Sequence, residues 1–288
     1  AYKGFAGVEV DSYSPEFNRK VQLLFHFRED RVEGAELFRG MLEHTWKYRR
    51  SQLFEFIDTI LAPKFSFRLQ EAIDSREAED EVIEFVKLYT RKVKLLIDRH
   101  YNEIPGISLK NKLLANFFVE LGEFYDEHIV NKALILLKKI KKIVKKYFAL
   151  DYFYRTEEVI EEGRSLGAGI VIPHPEQFWP VLLADYDVDG IEVWNPQSQQ
   201  YTEFLIKVVN KKNRYKEYRR KPLLVFMGDD THLGEKLLEP RFQRKEKAQR
   251  EVGHQPAWND IMIQKTLVYG QVGKEQVIEE YRQRLLHA

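Results

Sequence analysis

Residues 223–234 read LLVFMGDDTHLG, an apolar run that passes straight into Gly228, two aspartates, Thr231 and His232. A short apolar run of this kind is a buried strand in α/β proteins. Buried strands usually stop at a polar turn. Two carboxylates and an imidazole at the stop are also the side chains that hold metals or move protons. What the neighbouring strands end in decides between a loop and a site. GIVIPHP (169–175) reads as a buried strand ending at His174, and DGIEVWN (189–195) as the next, ending at Asn195. Short helices separate them. TEEVIEEGRSLGAG (156–169) has Thr156 as its N-cap and glycines after it. EQFWPVLLADY (176–186) is a short helix interrupted by Pro180, and YTEFLIKVVNKK (201–212) is a longer one. Strands alternating with helices predict a parallel sheet or barrel, where reactive groups collect at the strands' C-terminal ends. His174, Asn195, Asp230 and His232 all fall at such ends.

Two further zones lie upstream. FAGVEV (5–10) and VQLLFHF (21–27) are short strand-like runs on either side of a polar turn, DSYSPEFNRK. From about 33 to 155 the pattern is helical. EVIEFVKLYTRKVKLLI (81–97) repeats apolar residues at helical spacing and closes before Pro105. KALILLKKIKKIVKKYF (132–148) sets Leu136, Leu137, Ile140, Val144, Tyr147 and Phe148 on one stripe, with six lysines between 138 and 146 opposite.

The 288 residues suffice for one large α/β domain or two smaller ones, and 44% hydrophobic with 32% charged residues suits a folded chain. A formal charge of +1 gives no global bias toward nucleic acid. Without cysteine there are no disulfides or thiolate metal sites, so His, Asp and Glu are the available ligands. No apolar run reaches the roughly 20 residues that span a bilayer, and the N-terminus lacks a signal-peptide layout. The expectation is a cytoplasmic protein without a membrane partner. Because the chain opens on a strand at Ala1 without methionine, it reads as starting in mid-fold.

GVEVD, IVIPHPEQ, DGIEVWNP and FMGDDTH, in that order, resemble the PHP (polymerase and histidinol phosphatase) family, over the first 30 residues or so and everything after about 155. The resemblance implies a distorted β/α barrel that binds two or three divalent metals and hydrolyses phosphoesters. It implies that Glu9 is a metal-bridging glutamate and that His174, Asp230 and His232 are metal ligands. Imidazole with carboxylate suits zinc, manganese or iron. Ions a few ångströms apart can generate hydroxide and neutralise phosphate. The sequence departs from the family at two places. The opening His-x-His is absent, and Gln22 stands where the second strand carries a histidine. His26 is four residues further, about 13 Å along an extended strand.

Each residue has an alternative reading: a solvated strand end for Glu9, and a buried hydrogen-bonded histidine for His174. Asp229 reads as a turn former, and Glu192 and Asn195 as residues that line or brace a pocket. His254 reaches the pocket only if the C-terminal arm folds back. The lysines of 138–146 read as the wet face of a helix. KVVNKKNRYKEYRRKP (207–222) interleaves tyrosines with cations, which suits either a solvated helix end or single-stranded nucleic acid.

The expected fold is therefore a PHP-type α/β barrel lacking its first strand or strands. Residues 1–32 and 156–288 belong to the barrel and a C-terminal arm, and 33–155 form an all-helical insertion. The expected function is hydrolysis of a phosphoester, a nucleotide or nucleic acid among the candidates, by a hydroxide bound to divalent metal. The alternative is a non-catalytic PHP-like scaffold or binding module. The sequence leaves the number of ions and the oligomeric state open. Glu9, His174, Asp230 and His232 are expected around one pocket at the barrel's C-terminal mouth.

Overall fold

The hairpin near the start of the chain sets the sheet. Strand β1 (Phe5–Ser14) pairs antiparallel with β2 (Arg19–Arg28), with Phe5 opposite Arg28 and Ser14 opposite Arg19. Their turn places Asn18 at φ 48°, a left-handed conformation that asparagine tolerates. Along β2, Val21, Leu23, Phe25 and Phe27 are buried while Gln22, Leu24 and His26 are half-buried, the two-residue alternation of a strand. β2 pairs antiparallel with β3 (Gly169–Ile172), which runs parallel to β4 (Gly190–Trp194). β4 runs parallel to β5 (Leu224–Met227). This computed structural model describes residues 5–73, 79–215 and 221–287.

The expected PHP-type barrel is not what forms. The five strands make one open mixed sheet in the order β1-β2-β3-β4-β5, with β1 and β5 at opposite edges. A closed β/α barrel needs parallel strands joined by crossovers, and its two edge strands must hydrogen-bond to each other. Here a tight hairpin makes β1 and β2 antiparallel, and the strand order never returns to its start.

The chain divides into two compact units, residues 1–41 with 153–288, and residues 42–152. Its helices of two or more turns are α1 (Glu36–Leu61), α2 (Ser66–Ile73), α3 (Asp80–His100), α4 (Lys112–Glu120), α5 (Glu127–Lys146), α6 (Thr156–Ser165), α7 (Thr202–Tyr215), α8 (Ile261–Tyr269) and α9 (Lys274–Leu286). None of the described helices is long and apolar enough to cross a membrane.

The described residues of unit 42–152 contain helices and no strand. Helix α5 begins at Asp126, whose carboxylate accepts from the backbone N–H of His128 at 2.7 Å. It buries Ala133, Leu136, Leu137, Ile140, Ile143 and Val144 against α2, α3 and α4, with Lys138, Lys142, Lys145 and Lys146 exposed. Phe56, Phe118 and Leu137 lie in this unit's core.

In the sheet-bearing unit, α6 crosses β2 so closely that a Cβ on Gly163 would stand 2.4 Å from the Phe25 ring. Thr156 is the first helical residue rather than the cap, and its hydroxyl lies 3.0 Å from that of Ser12. The segment expected as one short helix forms two single-turn 3-10 pieces, Pro175–Gln177 and Trp179–Leu182, because Pro180 cannot donate to a continuous ladder. Helix α9 brings Tyr281 to His26, hydroxyl to Nδ1 at 2.7 Å. Arg284 of the same helix joins Arg164 on the buried Asp189.

Candidate functional site

Because β3, β4 and β5 are parallel, their C-terminal ends lie on one side of the sheet, across the strand direction. His174 follows β3 at φ 29°, and Asp230 follows β5 at φ 47°. They are two of the four non-glycine residues with positive φ among the described residues. An L-residue there holds its Cβ against its own carbonyl, at a cost of roughly 1–3 kcal/mol, and such strain gathers at sites that require a particular aim.

Asp230 and His232 meet, with Oδ1 and Nε2 at 3.2 Å. The other Asp230 oxygen accepts from Gln197 Nε2 at 2.7 Å and from the Arg250 guanidinium. Arg250 Nη1 also donates to the Asp230 carbonyl at 3.0 Å, and Lys247 Nζ stands 3.4 Å from His232 Nε2. The chain after α7 and β5 thus turns back over the strand end. Gln255 fixes the return by donating to the Met227 carbonyl. What arrives is Arg250 and Lys247, while His254 stays exposed. Asp229 forms the turn, accepting from the backbone N–H of Thr231 at 2.9 Å and of Gly253 at 2.7 Å. Burial pushes its carboxyl up, but these donors outweigh burial and hold it below the usual carboxylate range.

Glu192, on β4, is buried. Its Oε2 accepts from the backbone N–H of His174 at 2.7 Å and from Asn195 Nδ2 at 3.4 Å. Burial pushes its pKa up to about 7. Those two donors oppose the rise, and the neighbouring charges of Glu176 and Asp230 add to it. The carboxyl lies over Gly228, where a Cβ would stand 1.7 Å from Oε1, so the glycine before the two aspartates is a steric requirement. A glutamate in the otherwise apolar stretch GIEVW was the signal that marks this position.

Among the described residues, no three of the four expected ligands gather into one metal-holding group. His174 lines a small cavity of about 180 Å³ with Lys20, Gln22 and Gln177. The Gln22 amide donates to Glu9, which is exposed on β1. Asp230 and His232 lie beyond β5. Four strand spacings, roughly 19 Å in a flat sheet, separate β1 from β5, which lie at opposite edges. Arg250 and Lys247 were not legible as site residues, since no spacing motif announces a chain that returns from fifteen to twenty residues further on.

Glu176 Oε2 is buried without a hydrogen-bond partner, and Glu192 is crowded by two other carboxylates, an excess of negative charge that a cation would offset. Yet among the described residues no three His, Asp or Glu side chains converge as a metal group. Arg250 and Lys247 already face Asp230 and His232. What the strand end offers is one carboxylate and one imidazole side by side, Asp230 and His232, with no third such side chain joining them among the described residues. No family model matches the chain, and no curated protein is similar to it in sequence.

Proposed function

We propose that the strand-end site belongs to a metal-dependent phosphoester hydrolase of the kind the PHP-like motifs imply, built on an open sheet. The observation that carries this reading is the Asp230–His232 pair, held by a left-handed strand end beside the buried carboxyl of Glu192. Asp230 and His232 are the residues to hold one zinc, manganese or iron ion. Such an ion, when bound, supplies a more acidic water and positive charge against the phosphate. Arg250 and Lys247 offer charged donors for phosphate oxygens once released from the side chains they now face. Glu192, with a pKa of about 7, holds or gives up a proton near neutrality. The substrate class is a phosphoester, with nucleotides and nucleic acid included, and a cytoplasmic setting belongs to the same proposal.

A second reading, a PHP-like binding module without turnover, is favoured by two contacts. Arg250 neutralises Asp230, and Gln22 occupies Glu9. The test is metal analysis after dialysis, paired with p-nitrophenyl phosphate hydrolysis by the parent, Asp230→Asn and His232→Ala. One ion per chain with slow turnover that both variants abolish supports hydrolysis. An ion held without turnover supports the module. A folded protein with neither ion nor turnover overturns the metal site. Two or more ions with brisk, His174-dependent turnover overturns the single-ion fit.

A further inference from the structure

A groove of about 590 Å³ runs between α7 and α8, away from the Asp230–His232 pair. Lys207, Lys211 and Arg214 line it from α7. Their spacing of four and then three residues places them on one face of the helix, over roughly 10 Å. Lys265 lines the groove from α8, and Tyr215 and Tyr269 from the C-terminal ends of the two helices. The helices close tightly on one side, where a Cβ on Gly270 would stand 2.5 Å from Asn210 Nδ2.

Three features of this groove call for an anionic occupant with flat faces. Its four cations face one carboxylate, Glu203, which pairs with Lys207 at 3.7 Å. Lys211 and Arg214 make no ion pair among the described residues. Cations near a helix C-terminus complement the helix dipole, which accounts for Arg214 on α7. That does not account for Lys265, set across the groove from like charges on another helix. The tyrosines are the second feature. Tyr215 is 77% and Tyr269 86% exposed, so both rings offer their faces to solvent. Third, the charge and the rings share one channel. Phosphate contacts alone would suit any acidic polymer. Cations alternating with bare aromatic faces suit a strand whose bases are unpaired and free to stack, with each stacked base contributing about 1–3 kcal/mol.

We propose that the α7–α8 groove binds single-stranded nucleic acid, through backbone phosphates on Lys207, Lys211, Arg214 and Lys265 and bases stacked on Tyr215 and Tyr269. Duplex DNA hides its base faces, and an acidic peptide has none. The inference is independent of the phosphoester reading, since no residue of the groove belongs to the strand-end site. Lys216, Tyr218 and Arg219 of the same basic tract lie outside the described residues.

The test is fluorescence anisotropy on the full chain with a labelled short oligothymidine, titrated across salt. Four phosphate contacts give a log–log salt slope of about −3 for a single strand. Lys211→Glu with Arg214→Glu should weaken binding at least about tenfold and bring the slope to about −1.4. Tyr215→Ala with Tyr269→Ala should weaken binding by about tenfold or more at unchanged slope. Lys138→Glu with Lys142→Glu makes the same charge change on the exposed face of α5, and should leave binding as it was. Circular dichroism checks that each variant folds. The inference is overturned if the parent fails to bind at low salt. It is also overturned if the α5 control loses as much as the groove variant, or if duplex or polyglutamate competes as well as the unlabelled single strand.

Discussion

Replacing Glu192 by glutamine should remove a pH dependence that the wild-type fold carries. Burial, with Glu176 and Asp230 close by, raises this carboxyl from 4.5 to about 7 in the folded protein. In the unfolded chain it titrates near its ordinary value. Between those two pH values the folded state holds a proton that the unfolded state has released, so stability falls as pH rises. The contribution of the neutral carboxyl is complete below about pH 4.5 and gone above about pH 7. A tenfold change in proton affinity is worth about 1.4 kcal/mol, so the loss across this range is about 3 kcal/mol. Glutamine keeps the shape and the acceptor that His174 N–H uses at 2.7 Å, and it cannot ionise. Glu192→Gln should therefore be more stable than wild type at pH 8 by about 3 kcal/mol and nearly equal to it at pH 4.5. Urea unfolding of chelator-treated protein across this range, followed by the fluorescence of the buried Trp194 beside the site, measures the difference. Parallel pH profiles for the two proteins would show that Glu192 is already charged at neutral pH and refute the reasoning.

Three other perturbations separate site from scaffold. Gly190→Ala should cost about 3 kcal/mol by urea unfolding, because its Cβ would stand 2.3 Å from the Leu224 carbonyl oxygen and 2.5 Å from the Phe226 ring. Asp189→Asn should cost a similar amount, about 3 kcal/mol, and the loss should shrink in the Asp189→Asn/Arg284→Met double variant. The substitution leaves the Arg284 and Arg164 guanidinium groups short of their carboxylate, and Arg284 is 4% exposed. Arg250→Met should free Asp230 and raise zinc affinity by about tenfold or more in a competition titration, and unchanged affinity would remove Arg250 as the ion's competitor.

Local pattern determined much of this protein. Two short apolar runs split by a polar turn marked β1 and β2, apolar runs between short helices marked β3, β4 and β5, and one-sided stripes marked α3 and α5. These features were legible because a strand or helix declares in its own residues which face it buries. The strand-end positions of His174, Asp230 and His232, and the turn at Asp229, followed from the same reading. Periodicity does not state what pairs with a sheet's last strand. Whether β1 meets β5 depends on hydrogen bonds between segments more than two hundred residues apart, and the sequence resemblance supplied the wrong closure. The open sheet leaves Glu9 with Gln22 and keeps it across the sheet from Asp230. Arg250 likewise carries no local mark of its role. It reaches Asp230 because the chain returns, anchored by Gln255 on Met227 and Gly253 on Asp229. Tertiary structure alone decided which charges face the strand ends, because a Coulomb partner is chosen by distance in space and leaves no trace in spacing along the chain.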